Sequence, residues 1–208
     1  MTETSTEGEV TSAAPRAIDD PRLFQALIAE QSSLMAARAM NQTEMASRAS
    51  MFVAALSGSI VALAFVAQAS RFGIETVAFG LMLLPVTLFL GLTTFIRAVD
   101  LATEEVRWVA ALNKVRSGYV EALPVLAEYF TTFRTETRAG VVATLSPVRQ
   151  SMSTYYGLAT TPGVLAVLDA VLAAAIGGTI VVALAGSLAV ALVVVTITFA
   201  VVLALQAT

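Results

Sequence analysis

The chain has 208 residues, 57% apolar and only 13% charged, with a formal net charge of −3 and a mean hydropathy of +0.81. Soluble domains carry about 25% charged residues, so much of this surface is expected to face lipid. With no Cys and no His, Cys/His zinc sites, His- or Cys-held haem, iron–sulfur clusters, Ser-His-Asp triads and thiol nucleophiles are excluded. The twelve Lys and Arg residues form no polybasic patch for nucleic acid.

Residues 1–19, MTETSTEGEVTSAAPRAID, are polar and acidic. They lack an apolar stretch behind a basic start, which argues against a secretory signal peptide. The composition predicts a disordered tail, with a docking arm as the functional alternative. Asp20-Pro21 is a helix start, because Asp caps orphan N–H groups and Pro is tolerated at the first helical position. Leu23, Phe24, Leu27, Ile28, Leu34, Met35 and Met45 follow at helical spacing, and no Gly or Pro intervenes before Gly58. This helix is expected to run straight into a first span near residues 51–70, which carries no charge and is long enough to cross hydrocarbon.

Arg71 to Glu75 is a short polar break. A second span, near residues 76–96, contains Pro85, which removes a backbone hydrogen bond and crowds the carbonyl of Leu81; it is the hinge candidate or a static kink. Beyond Arg97 the chain becomes amphipathic, with Val99, Ala102, Val106, Val109, Leu112, Val115 and Tyr119 stepping by three or four. The second span is therefore expected to continue as a helix to about Ser117-Gly118. Residues 20–118 thus form a first membrane hairpin with long helical extensions. Residues 119–161 are read as a helix started by Pro124 and then a loop with a short helix, ending at interfacial Tyr155 and Tyr156.

The last apolar block, residues 162–208, is about twice the length one span needs. Folding it at Ala185-Gly186-Ser187 gives spans near 163–184 and 188–206, since Gly favours the position just past a helix end. The fold class that follows is an all-α integral membrane protein of four transmembrane helices in two hairpins. Four cations before Met51 and seven from Arg97 to Arg149 lie on one side of these spans, against Arg71 alone on the other. Positive charge is retained in the cytoplasm, which predicts a multi-pass protein of the plasma (inner) membrane with both termini cytoplasmic.

From Gln150 to Thr208 the one charged side chain is Asp169. An intramembrane carboxylate is costly and commonly functional. Its readings are an ion or proton site, a buried partner for Arg48 or Arg97, or a group reaching interfacial water. Ala54, Gly58 and Ala62 recur every four residues in the first span, and Ala170, Ala174 and Gly178 do so in the third. Small residues at this spacing let helices approach closely, within one chain or between copies. Trp108, Tyr119, Tyr129, Phe130 and Phe133 form either a cytoplasmic core or an interaction surface. No Walker loop, dinucleotide fingerprint, nucleophile elbow or di-metal carboxylate spacing is present. No catalytic residue, cofactor or metal is therefore expected.

The stretch ARAMNQTEMASRASMFVAALSGSIVALAFVAQ (residues 37–68), followed by RWVAALNKVRSGYVEALPVLAEYF (residues 107–130), resembles a family of uncharacterised bacterial integral membrane proteins. The resemblance implies a helix, two spans, a helical middle and two further spans, without an activity. The first half is also similar in plan to the two-span SLATT effector modules, thought to act at membranes in nucleotide-triggered defence. The expectation is a non-enzymatic protein that self-associates as a scaffold or effector in the lipid bilayer. The alternative is a small ion channel or transporter subunit using Asp169. The expected partner is a second copy, with an unidentified cytoplasmic protein as the further candidate.

Overall fold

The computed structural model describes residues 21–130, 137–145, 159–185 and 187–206. The proposed tail at 1–19, the cap Asp20, Phe133, Tyr155, Tyr156 and Gly186 lie outside the described residues. Two helices of 49 residues each dominate: α1, Pro21–Ala69, and α2, Ile74–Ala122. A 3-10 turn follows at Pro124–Glu128 and a short helix α3 at Arg138–Leu145. Then come α4, Thr161–Ala185, and α5, Leu188–Gln206. Among the described residues α1, α2, α4 and α5 are long and apolar enough to cross a membrane, compatible with a multi-pass membrane protein.

α1 and α2 lie antiparallel along their whole length. Ser70 Oγ and Thr76 Oγ1, 2.6 Å apart, close the turn, Ser59 Oγ and Thr87 Oγ1 meet at 2.9 Å midway, and Asn41 Nδ2 donates to the Leu101 carbonyl at 3.0 Å further out. The turn between them is made by residues other than its glycine. Gly73 is not its left-handed residue, since its φ is −71°; Arg71 and Phe72 are, with φ of 51° and 60°. Such angles are sparsely populated by residues with a Cβ. Backbone bonds from Phe72 N to Ala67 O at 2.8 Å and from Gly73 N to Ser70 O at 2.9 Å hold them there.

α2 passes through Pro85 without a break, and Pro85 sits exposed on its surface. The helix also outruns the sequence boundary at Ser117-Gly118 and ends at Ala122. Gly118 is instead a packing position, where an added Cβ would stand 3.3 Å from Leu27 Cδ2. Leu34, Leu112 and Val115 form the core of this outer part, covered by Leu27, Trp108, Ala111 and Tyr119. Tyr119 stacks edge-on against Phe130 at 6.4 Å. Of the aromatic residues singled out in the sequence, Trp108 and Tyr119 thus cover this core, Phe130 packs on Tyr119, and Tyr129 is exposed. α3 docks beside it, with Asn113 Nδ2 donating to Thr144 Oγ1 at 3.3 Å.

α4 and α5 form a second antiparallel pair, and α4 also packs on α2. The junction of α1, α2 and α4 is a cluster of Phe52, Ala98 and Leu165, with Phe52 fully buried.

Candidate functional site

Asp169 lies on the face of α4 that turns toward α2, and it is wholly buried. Gly91 of α2 makes the room. A Cβ at Gly91 would overlap Asp169 Oδ1 and approach Phe52 Cε2 to 2.8 Å and Asp169 Cγ to 2.9 Å. The carboxyl is thus pressed against bare backbone, with the Phe52 ring beside it. From α5, Gln206 Nε2 donates to Asp169 Oδ2 at 3.5 Å, a long contact. Asp169 Oδ1 and Gln206 Oε1 are buried and have no hydrogen-bond partner among the described residues.

The two arginines considered as partners for Asp169 are engaged elsewhere. Arg97 Nε and Nη2 donate to Glu44 Oε1 and Oε2 at 3.0 and 3.2 Å. Arg48 Nε reaches Glu44 Oε1 at 2.9 Å, and Arg97 also lies 3.6 Å from Glu104. Glu44 is therefore the charge hub at this level. The Arg97 hydrogen bond, then that of Arg48, holds its carboxyl below the usual carboxylate range. The same bond to Glu44 raises Arg97 above its ordinary value. Further out, Arg38 pairs with Glu105 at 2.7 Å.

The two rows of small residues have different surroundings. Ala170 and Ala174 are buried, and a Cβ on Gly178 would stand 2.6 Å from Val195 Cγ2 of α5. That row serves packing within the chain. On α1, Ala54 and Gly58 are exposed and Ala62 half-buried, and a Cβ on Gly58 would meet nothing within 4 Å.

Two cavities accompany these features. An apolar crevice of about 470 Å³ separates the pairs near Leu63, Gly80, Leu84 and Gly178. A groove of about 730 Å³ runs beside the outer half of α1 between Met40, Asn41, Glu44, Glu104 and Trp108. Asp169 lines neither. Among the described residues no group of three or more acidic side chains is placed to hold a metal ion.

Sequence reading missed Gly91 and Gln206. Each had a signal, since Gly91 interrupts the middle of an apolar run and Gln206 is the one amide in α5. Neither signal names its partner. No protein-family model, curated protein or solved structure matches this chain.

Proposed function

We propose that this chain is a non-enzymatic multi-pass protein of the plasma (inner) membrane, threaded as two hairpins with both termini cytoplasmic. In this reading it self-associates through its first span as a scaffold or effector. The observation that carries the reading is the open face at Ala54 and Gly58. In lipid there is little hydrophobic gain from helix pairing, and close approach at small residues is a main source of attraction. The corresponding row on α4 is consumed inside the chain, whereas Ala54 and Gly58 are left open among the described residues.

The test is the mass of the full-length protein in native-like lipid particles, for wild type and Gly58→Leu. A defined oligomer that Gly58→Leu dissociates is expected. A wild-type monomer, or an oligomer indifferent to the substitution, overturns the proposal.

A second reading, an ion pathway subunit using Asp169, draws on the two unpartnered oxygens of Asp169 and Gln206. Buried acceptors without donors are rare and suit a cation. Liposome flux measured for wild type and Asp169→Asn tests it, and absence of flux from the wild type under an imposed gradient removes it.

A further inference from the structure

The hydrogen bonds of Asp169 and Gln206 do not balance with an ionised carboxylate. The pair has three side-chain oxygens, Asp169 Oδ1 and Oδ2 and Gln206 Oε1, and its one donating atom is Gln206 Nε2. Nε2 reaches Oδ2, while Oδ1 and Oε1 are both buried with no partner among the described residues. Turning the amide over would set Oε1 against Oδ2, two acceptors, so a donor is still lacking. We infer that Asp169 and Gln206 bind one proton as an acid–amide pair, and that this proton latches the end of α5 onto α4. With the proton on Oδ1, that oxygen donates to Oε1 while Nε2 donates to Oδ2, and a single O–H bond satisfies both orphaned oxygens. The proton is taken from water and returned to water, and no other covalent bond forms or breaks. The proton site requires neither self-association nor transport.

Other ways of satisfying these oxygens do not fit. Hard metal ions take about six oxygen ligands, and the described residues place no cluster of acids here. A water needs open volume lined by polar groups, and neither of the two cavities reaches Asp169. The space beside Oδ1 is closed by the Gly91 backbone and the Phe52 ring. A proton requires no such volume. Nor does a cation face the carboxyl. α4 and α5 carry no other charged side chain. The charged residue nearest to Gly91 along α2 is Arg97, with Asp100 beyond it, and the one nearest to Phe52 along α1 is Arg48. Both arginines are bound to Glu44. Thr94, buried in the next turn of α2, gives its hydroxyl to Leu90 O at 2.7 Å.

Among the described elements α5 packs on α4 alone. Gln206 is its last residue and is half-buried, so the amide joins the buried carboxyl to the exposed end of the helix. Removing the proton leaves a buried charge that no cation faces, which is strongly unfavourable. Asp169 itself is fixed against Gly91. The response open to the fold is for the end of α5 to swing off α4 and admit water to the carboxylate.

The test is infrared absorption of the full-length protein in lipid particles at neutral pH, for wild type, Asp169→Asn and Gln206→Leu. Wild type is expected to show the carbonyl stretch of one protonated carboxyl, which Asp169→Asn lacks and which alkaline titration of wild type removes. Gln206→Leu takes away the acceptor and should shift that band to higher frequency or abolish it. Absence of the band from wild type overturns the proton site. A band that Gln206→Leu leaves unmoved places the proton on Asp169 without the amide and overturns the pair. The chain contains no Cys, so spin labels at Leu205→Cys and Thr93→Cys, both exposed positions, report the latch. Their separation should widen as otherwise wild-type protein loses the band, and stay fixed when Asp169→Asn is added. A separation that stays fixed in both overturns the latch. Liposome flux separates this site from the second reading above. The band without flux removes the ion pathway alone, and flux without the band removes the proton site alone.

Discussion

Gly91→Ala is the substitution that most directly tests the α2–α4 junction. A methyl group there would overlap Asp169 Oδ1 and stand 2.8 Å from Phe52 Cε2. Asp169 and Phe52 are both fully buried, so neither has free space to retreat into. Overpacking of this kind costs about 1–3 kcal/mol. Replacing Gly by Ala inside a helix returns at most about 1 kcal/mol. The net is a loss of up to about 2 kcal/mol for Gly91→Ala, and Gly91→Ala should fall about 1–3 kcal/mol below a glycine-to-alanine change at an open helical position. Gly58→Ala is the internal control, because its methyl group meets nothing within 4 Å. It should leave fold stability unchanged or raise it by up to about 1 kcal/mol. Unfolding in detergent micelles by titrated dodecyl sulfate, followed by helical circular dichroism and Trp108 fluorescence, gives both values. Adding Asp169→Ala to Gly91→Ala removes the overlapping atoms and should recover part of the loss as a coupling term. If Gly91→Ala is as stable as Gly58→Ala, the proposed contact between Gly91 and the carboxyl is wrong.

Gly178→Ala should weaken α4–α5 packing, because its Cβ would stand 2.6 Å from Val195 Cγ2; the same unfolding assay with Val195→Ala added should restore stability. Ser59→Ala and Thr87→Ala should couple by about 0.6 kcal/mol, the mean for hydrogen bonds between spans, since the two hydroxyls meet at 2.9 Å while each also bonds its own helix. Additive single substitutions would remove that contact. Glu44 should give an acid limb to stability. Its folded carboxyl sits below the usual range because Arg97 and Arg48 hydrogen-bond to it, so its contribution is complete above the unfolded value of about 4.3. The contribution is lost as pH falls through the lower folded value. The wild type should therefore exceed Glu44→Gln in stability at neutral pH, with the two converging under acid; parallel curves would contradict the pairing.

The helices themselves were legible because their causes are local. Uncharged runs of span length, a polar break at Arg71–Glu75 and small residues at Ala185–Ser187 place α1, α2, α4 and α5 within a few residues. Continuity of α1 through Gly58 followed from the absence of any earlier breaker. What was not legible is which faces meet. The rows Ala54–Gly58–Ala62 and Ala170–Ala174–Gly178 have the same spacing, yet the second is buried against neighbours in the chain and the first is largely open. Spacing specifies that a backbone can be approached closely and says nothing of what approaches it. The end of α2 was misplaced for a related reason. Ser117-Gly118 looks like a terminator locally, but Gly118 packs against Leu27 of α1, where an added Cβ would stand 3.3 Å from Leu27 Cδ2, and tertiary packing overrides the propensity. Asp169 stood out as a lone charge, while its neighbours Gly91 and Gln206 come from helices 78 and 37 positions away in the chain.

Placement of polar groups separates contacts that define one chain from a surface that can join two. Ser59 and Thr87 face each other, Asp169 receives Gln206, and Glu44 gathers Arg97 and Arg48. All of these close within one copy. On the far side of α1, Thr43 and Ser50 turn their hydroxyls onto their own helix, and the stretch from Ala54 to Gly58 carries no charge. A contact formed there has no ionic component to lose. Assembly through the first span is therefore expected to be insensitive to salt, since screening acts on exposed charge pairs, and sensitive to side-chain volume at Gly58. A dimer that dissociates in high salt but tolerates Gly58→Leu would place the contact on the charged surface of α2 instead.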